Sequence, residues 1–254
     1  MYAQERHQII LEILNKKQSV SVRELCSLLN TSATTIRNDL SILEKKDLLD
    51  RTHGGAINVF RSGFERITSD KVVKHKKEKE AIGKFASTLV QDGDVIAVDT
   101  STTTIELIKN LRDKERLTIV TNDLVIATMV EHFPHVVLMF IGGIIRKGYN
   151  CAVGPQAIEA LSDIWVDKAF IACNGFTVQY GISTPNSDMA QYKKKLIENS
   201  SQAIVLCDSS KIGHSSFIKV ASIDELDHVV TDAEISKESY EEIEATGLRI
   251  DIAH

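Results

Sequence analysis

The strongest chemical signal in the sequence is a run of hydroxyl side chains that directly follows a short apolar segment. The run opens at Asp99 and continues with Thr100, Ser101, Thr102, Thr103 and Thr104. The apolar residues before it predict a buried strand, and those after it predict a helix. Consecutive backbone N–H groups at the start of a helix, together with several hydroxyls, suit a phosphate group. The same pattern also fits a helix N-cap without a ligand, and the residues alone favour neither.

Two further polar groups follow the next predicted strands. Thr121 and Asn122 are short side chains that can orient the hydroxyls of a ligand. Gly142 and Gly143 permit close approach of the backbone, and the nearby Arg146 can hold an anion through two parallel hydrogen bonds. The alternative for Arg146 is an ordinary solvated surface residue.

Polar residues also follow two predicted strands nearer the C-terminus. Lys211 ends a segment that begins at Asp208, and it would either bind an anionic ligand or pair with Asp208. Asn174 stands beside Cys173, whose thiol has no histidine partner nearby in the sequence, so a structural cysteine fits better than a nucleophile. Neither the four cysteines nor the eight histidines have metal-ligand spacing, and no disulfide framework, metal site or cofactor is predicted.

A second set of candidate residues lies on the helical segments that precede the first glycine, Gly54. Ser21 followed by Glu24 is a capping-box pattern, and Ser32 is a good N-cap for a helix that we expect to end near Lys46. Two helices joined by such a tight turn predict a helix-turn-helix, whose second helix enters the major groove of DNA.

The polar residues of this second helix and of the short extended segments after it are candidate DNA contacts. Arg37 can bind guanine or phosphate, and Asn38 can pair with adenine. The extended segments predict a β-wing that reaches the minor groove or the backbone. The alternative is a helical interaction module with a solvated polar face. The predicted contacts are Ser32, Thr34, Thr35, Arg37, Asn38, Arg51, His53 and Gly54.

The elements that must position the first set of residues alternate between strand and helix. This alternation predicts a parallel α/β sheet covered on both faces, which binds ligands beyond the carboxyl ends of its strands. The predicted strands are Val95–Val98, Leu117–Val120, Val136–Ile141, Lys168–Ala172, Ala203–Cys207, His228–Val230 and Leu248–Ile252. The predicted helices are Lys76–Leu89, Thr104–Leu111, Leu124–Val130, Pro155–Leu161, Asp188–Ser200 and Ile235–Ala245.

The 254 residues are 43% hydrophobic and 26% charged, which is typical of a folded globular chain and excludes a disordered one. No apolar run reaches membrane-spanning length and the N-terminus lacks a signal-peptide pattern, so we expect a cytoplasmic protein without a membrane partner. We expect a winged helix-turn-helix domain over 1–57, a linker over 58–75 and an α/β sensor domain over 76–254. The net charge of −5 is uneven, because residues 58–80 carry seven basic and four acidic residues, so a polyanion would meet the N-terminal part.

The N-terminal part resembles the DeoR/GlpR-type bacterial transcriptional regulators. The matching residues are dense and collinear, and they include Val20–Val22, Glu24–Leu25, Thr35–Leu40 and Arg51–Ala56. The family usually has two arginines where this chain has Arg37-Asn38, a departure that would alter operator preference or weaken a phosphate contact.

The C-terminal part is similar to the sensor domain of the same family as far as about Asp232. The similarity rests on Asp92–Asp94, Asp99–Thr104, Val120–Asn122, Gly142–Gly143, Asp167–Phe170 and Asp208–Lys211. The resemblance implies a fold similar to that of ribose-5-phosphate isomerase and an effector that is a phosphorylated sugar. By that resemblance, Ser101 to Thr104 hold the phosphate, and Asp99, Thr121, Asn122, Arg146, Asn174 and Lys211 face the sugar or the phosphate.

The family favours glycine at the position of Ser101. If the backbone needed a positive φ there, serine would carry a steric cost of about 1 kcal/mol. Alternatively, its hydroxyl contacts the ligand.

Three functions stay open on the sequence. The favoured one is a repressor of carbohydrate uptake or metabolism genes that binds double-stranded operator DNA as a homodimer or homotetramer and responds to a phosphorylated sugar. The second is a sugar-phosphate isomerase with an accessory domain, which the lack of a carboxylate over 171–175 disfavours, although Asp99 or Asp208 remain possible bases. The third is a constitutive DNA-binding protein with a vestigial sensor.

Overall fold

Two sets of core side chains, one from each part of the chain, divide the molecule into two units. The computed structural model describes residues 1–45, 48–58, 63 and 65–254. The units are Met1–Phe64 and Glu65–His254. Glu65 and the residues after it, in the range expected as a linker, belong to the second unit and include a helix over Thr68–Val73. The predicted DNA contacts and effector contacts all lie among the described residues.

The described part of the first unit has three helices and a three-stranded antiparallel sheet. The apolar stripes of the helices pack on one another because residues at helical spacing share a face, and Ile10, Leu25, Ile36 and Leu40 are buried. The sheet has the strand order β1-β3-β2. The elements are α1 (Ala3–Lys17), β1 (Ser19–Ser21), α2 (Val22–Leu29), α3 (Ala33–Lys45), β2 (Asp50–Thr52) and β3 (Gly55–Ile57).

The sequence predicts the two strands of the wing but not β1, which pairs with β3. This pairing requires a glycine at position 55, because a Cβ there would lie 2.0 Å from the carbonyl oxygen of Val20. The Ser21 hydroxyl accepts the Glu24 N–H at 3.1 Å, as predicted, and so begins α2.

The second unit is built on a seven-stranded parallel sheet with helices on both faces. Its strand order is β15-β14-β12-β9-β4-β5-β6. These strands are β4 (Val95–Val98), β5 (Leu117–Thr121), β6 (Val136–Phe140), β9 (Lys168–Ala172), β12 (Ala203–Leu206), β14 (His228–Asp232) and β15 (Arg249–Ala253). The predicted architecture, a winged helix-turn-helix followed by a parallel α/β domain, is therefore confirmed.

The helices divide between the two faces of the sheet because their apolar stripes join two different clusters. One face carries α5 (Lys76–Ser87), α6 (Thr102–Lys109) and α7 (Leu124–Val130), and the other carries α8 (Pro155–Leu161), α9 (Ser187–Glu198) and α10 (Lys237–Glu244). The short helix α4 (Thr68–Val73) buries none of its own residues and lies against α6.

Short antiparallel strands that the sequence did not predict complete the unit. They form the hairpin β7 (Ile144–Arg146) with β8 (Cys151–Val153), and a small sheet of β10 (Gly175–Thr177), β11 (Gly181–Thr184) and β13 (Ile218–Ala221). In the part of the chain that the structure describes, no helix combines the length and apolar character needed to span a membrane.

Candidate functional site

The tight turn between α2 and α3 presents the start of α3 to solvent. Asn30 ends α2 in the left-handed conformation (φ 47°), and Ser32 accepts the N–H of Thr35 at 3.3 Å. Of the predicted contacts on α3, Ser32, Thr34, Arg37 and Asn38 are exposed and Thr35 is half-buried. The side chains of Arg37 and Asn38 form no hydrogen bond or ion pair with any described residue, so both are available to contact DNA.

One buried carboxylate holds α3 against α1. Asp39 accepts Arg6 Nη2 at 2.9 Å and contacts His7 Nε2 at 3.0 Å, and it is 3% exposed. Burial alone would raise the pKa of Asp39, but the hydrogen bonds from Arg6 and His7 outweigh it and hold the pKa below its usual value. Asp39 was not predicted as a functional residue, because only the solvent-facing residues of α3 were candidates for DNA contact.

The three predicted contacts of the wing are all on its exposed surface. Arg51, His53 and Gly54 are all exposed. The N–H of Arg51 donates to Glu44 at 3.0 Å, and its guanidinium lies 3.8 Å from the same carboxylate. The carbonyl of Gly54 accepts the N–H of Val22 at 2.8 Å, which ties the wing to α2. A recognition helix with an exposed arginine and an adjoining wing is the geometry that reads duplex DNA.

In the second unit, the strands β12, β9, β4, β5 and β6 are neighbours, so the polar groups that follow them share one edge of the sheet. Asp99 follows β4 and is fully buried. Its Oδ2 accepts the N–H of Ala172 at 3.1 Å and pairs with Lys193, whose Nζ also donates to the Ala172 carbonyl at 2.7 Å. Lys193 is 3% exposed. It was not predicted as a site residue, because a lysine-rich stretch of a helix is typical of a solvent-exposed face.

The hydroxyl run forms the first turn of α6. Ser101 has φ −169°, an extended conformation, so the steric cost considered for serine does not arise. Its hydroxyl accepts the N–H groups of Thr103 at 3.1 Å and Thr104 at 2.9 Å. Thr102, Thr103 and Thr104 are buried. Two of the backbone donors that suit a phosphate are therefore occupied by the cap.

Asp123 caps the neighbouring helix α7 and also accepts the hydroxyl of Thr100. Its Oδ1 accepts the N–H groups of Val125 at 2.7 Å and Ile126 at 3.0 Å. Burial raises the pKa of Asp123 despite these hydrogen bonds, and the charge of Asp99 adds to the rise.

The polar residues after β5 are tied to the backbone. Thr121 donates to the Val98 carbonyl at 2.8 Å, and Asn122 Nδ2 donates to the Ala152 carbonyl at 2.7 Å. Among the described residues, neither Asn122 Oδ1 nor Asp99 Oδ1 has a hydrogen-bond partner, although both atoms are buried. Unsatisfied buried acceptors at the edge of a sheet are places where a ligand can donate.

Arg146 is half-buried and paired rather than freely solvated. Its Nη1 lies 2.7 Å from Glu65, and its guanidinium stacks 3.6 Å from the centroid of the Tyr149 ring. Gly142 and Gly143 are exposed before β7, and position 143 needs glycine because its φ is 153° and a Cβ there would lie 2.6 Å from the Val153 carbonyl oxygen.

The last two predicted residues are engaged locally. Asn174 Oδ1 accepts the hydroxyl of Thr184 at 3.1 Å. Lys211 donates to Ser210 at 2.7 Å and lies 3.6 Å from Asp208. Burial opposes the charge on Asp208, but Lys211 and the Ser210 hydroxyl hold its pKa below the usual value. The pairing considered for Lys211 in the sequence is thus present.

The hairpin of β7 and β8 brings Arg146 to this edge, because Arg146 lies opposite Cys151 and Cys151 pairs with Asp123. Burial raises the pKa of Cys151 to about 11, and the charges of Asp99, Arg146 and Lys193 all act on this thiol. Such an edge combines cations, hydroxyls and buried acceptors, the set of groups that binds a polar anion.

Comparison with known domains decides the family. Residues 6–60 match the DeoR-like helix-turn-helix domain, and residues 74–233 match the DeoR C terminal sensor domain. The chain belongs to the DeoR family. The resemblance described above is therefore confirmed, and this DeoR-family protein is a transcriptional regulator with a DNA-binding helix-turn-helix.

Relatives of this DeoR-family regulator match nearly its whole length. The HTH-type transcriptional regulator YulB of Bacillus subtilis (strain 168) is 35% identical over 250 residues, 98% of this chain and 96% of YulB. The HTH-type transcriptional repressor GlcR of the same organism is 33% identical over 232 residues, 91% of this chain and 89% of GlcR. Among solved structures, ribose 5-phosphate isomerase A of Methanocaldococcus jannaschii aligns with a TM-score of 0.40 and 18% identity over 55% of each chain.

Proposed function

We propose that this regulator represses carbohydrate uptake or metabolism genes, and that a phosphorylated sugar bound at the carboxyl edge of the parallel sheet controls its operator binding. One observation carries the effector half of the proposal. Lys193 pairs with Asp99 just before α6, and Arg146 lies opposite Cys151, which pairs in turn with Asp123, the carboxylate that accepts the Thr100 hydroxyl. Asp99 Oδ1 and Asn122 Oδ1 are buried there without a partner among the described residues. Cations would meet the phosphate, and the buried acceptors would meet sugar hydroxyls.

Operator binding would use α3 and the wing. In this proposal Arg37 and Asn38 contact base edges, while Ser32, Thr34 and Thr35 approach phosphates. Arg51, His53 and Gly54 would contact the minor groove or the backbone. A homodimer or homotetramer would present two such units to a two-part operator in the cytoplasm.

We propose that the site binds its ligand without turnover. Proton transfer between the carbons of a sugar requires a base that is free and near its working pKa. Asp99 is committed to Lys193 and to the N–H of Ala172. The pKa of Asp208 is lowered, and Asp123 is occupied as the cap of α7. The relatives are named as regulators of transcription, which agrees with a binding role.

The test is a fluorescence anisotropy titration of the purified full chain on DNA from its own upstream region, at two salt concentrations. A panel of hexose and pentose phosphates is added to each complex. We expect salt-sensitive binding that one phosphate changes, because counterions are released at each phosphate contact of the DNA.

Two matched variants localise the response. Arg146→Gln should weaken the effect of the sugar phosphate at least about tenfold, the equivalent of one charge-assisted hydrogen bond. Lys147→Gln removes an exposed charge next to it in the chain and should respond like the wild type. An equal response in both variants would mean that the ligand binds elsewhere. If no sugar phosphate changed DNA binding, the proposal that a phosphorylated sugar is the effector would be wrong.

A further inference from the structure

Glu65, the first residue of the second unit, has its carboxylate between two cations. Lys71 Nζ lies 2.7 Å from Oε1, and Arg146 Nη1 lies 2.7 Å from Oε2. The Glu65 side chain is only 10% exposed. Burial by itself would raise the pKa of Glu65, but the charges of Lys71 and Arg146 outweigh it and keep the pKa below its usual value. The carboxylate is therefore an anion that these two cations hold.

The segment that contains Glu65, residues 65–79, runs along the carboxyl edge of the sheet. At its start, the Glu65 carbonyl accepts the Tyr149 hydroxyl at 3.1 Å. In its middle, Lys71 is close enough to Lys193 for the two charges to interact. At its end, His75 and Lys79 act on the carboxyl group of Asp208. The segment thus passes the strand ends that carry the proposed effector site.

Hydrogen bonds to backbone carbonyls hold the first part of this segment at both of its ends. The N–H of Thr68 donates to the Gly148 carbonyl at 2.9 Å, and Lys79 donates to the carbonyl groups of Lys71 and Lys74 at 2.6 Å. Helix α4 has only six residues and buries none of them, and Val73 is 75% exposed. A helix this short has little stability of its own, so its place depends on tertiary contacts, and the Glu65 ion pairs are among them.

A carboxylate paired with a guanidinium and an ammonium occupies the position that a phosphate group would take. Arginine binds carboxylates and phosphates alike, and here Arg146 contacts Glu65 through Nη1. A phosphate offers more acceptor oxygens and more charge than a carboxylate. Two anions cannot share this pair of cations without strong repulsion at such short distances.

We propose that Glu65 is an internal ligand of the effector site, and that an anionic effector which pairs with Arg146 and Lys71 displaces it and releases the segment of residues 65–74. This inference rests on the proposed function, because it assigns the regulation of the same site. The released segment directly follows the DNA-binding unit in the chain. The effector shifts the regulator between two states because it binds one in which Glu65 has left the cations more tightly than one in which Glu65 is in place.

The experiment compares the full-length wild type with Glu65→Gln, using inorganic phosphate as the probe. Glu159→Gln is the matched control, since Glu159 is exposed on α8 and no described residue pairs with it. Affinity is read from the rise in Tm with phosphate concentration, at constant ionic strength set with sodium chloride. A parallel titration with sodium chloride alone gives the screening effect.

We expect Glu65→Gln to bind phosphate at least about tenfold more tightly than the wild type, the equivalent of removing one competing charge-assisted contact. Glu159→Gln should bind as the wild type does. Equal phosphate affinity in all three proteins would overturn the proposal that Glu65 is an internal ligand. It would not contradict the proposed effector site. No phosphate binding to either wild type or Glu65→Gln would overturn both.

Hydrogen exchange of the wild type gives a second readout that needs no variant. Phosphate should slow exchange in the first turn of α6 and speed exchange over residues 68–73, beginning at the Thr68 N–H. Protection of α6 with unchanged or slower exchange over 68–73 would show that the anion binds while Glu65 stays in place, and would overturn the inference even if Glu65→Gln failed to fold.

Discussion

Ser101 caps the first turn of α6, the turn at which we propose that a ligand binds. Its hydroxyl accepts two N–H groups of the first turn of α6, which are the donors expected to hold a phosphate. Its extended backbone carries no strain, so the departure from the family's glycine acts through the side chain rather than through φ. A bound phosphate would have to replace this hydroxyl or accept a hydrogen bond from it.

Replacing Ser101 with glycine should cost only a few tenths of a kcal/mol of stability, because glycine is tolerated at an N-cap. We expect Ser101→Gly to bind inorganic phosphate several-fold more tightly, since two backbone donors become free. Tm and the phosphate Kd measure the two effects. Ser236→Gly removes an equivalent cap from α10 and should leave phosphate binding unchanged. Weaker binding to Ser101→Gly would instead mean that the hydroxyl contacts the ligand.

Arg37 is the arginine that the structure leaves exposed on the recognition helix. We expect Arg37→Ala to lose about 1–3 kcal/mol of operator affinity and some sequence preference, as befits a base or phosphate contact. Anisotropy on operator and scrambled DNA measures both. Arg112→Ala removes an exposed arginine from the second unit and serves as the control. Unchanged affinity and preference in Arg37→Ala would mean that another surface reads the DNA.

At the scale of elements, the position of α3 depends on its link to α1 through Asp39. We expect Asp39→Asn to destabilise the first unit by about 3–5 kcal/mol, because it leaves Arg6 without its buried counter-charge, and to weaken operator binding without touching DNA. Thermal unfolding and anisotropy measure these effects. The exposed Asp113→Asn is the control. Operator binding lost with no change in stability would make Asp39 a DNA contact rather than a positioning residue.

The same carboxylate gives the first unit a pH dependence of known sign. Since the pKa of Asp39 is lower in the folded protein than the usual value of 3.8, its contribution is complete above that value and is lost as the pH falls through the folded pKa. Part of the acid sensitivity of the wild type should therefore be missing from Asp39→Asn.

Long buried elements could be predicted from the sequence, and short or isolated ones could not. The central strands of the large sheet coincide with apolar runs, because a strand covered on both faces is apolar throughout. The edge strand β15 alternates polar and apolar residues instead. The three-residue strands β7 and β8 are too short to show a period. Lys193 lies between exposed and buried residues of α9, and only the packing of α9 on the sheet decides that its ammonium faces Asp99. Glu65 lies in a stretch of weak periodicity, so its partners 6 and 81 positions away carry no sequence signal.

At the scale of the whole molecule, each core cluster of the described residues takes its side chains from a single unit. The core of the first unit includes Leu40, and one core of the second includes Leu117. We expect Leu40→Ala to lower the stability of the first unit by about 2–5 kcal/mol and to leave phosphate binding intact. Leu117→Ala should affect the second unit instead.

Calorimetry of the two variants should show two transitions, each moved by one substitution. A single transition moved equally by both would mean that the chain unfolds as one cooperative body. That outcome would contradict the separation of the two cores.

The order of strands in the large sheet also governs how the protein forms during synthesis. The central strand β4 pairs with β9, which leaves the ribosome about seventy residues later. In contrast, the core residues of the first unit that the structure describes all lie within the first 56 positions. Contacts that are local in sequence form early, and those that close long loops form late. The described core of the DNA-binding unit therefore forms on the nascent chain while the large parallel sheet still lacks its middle strand.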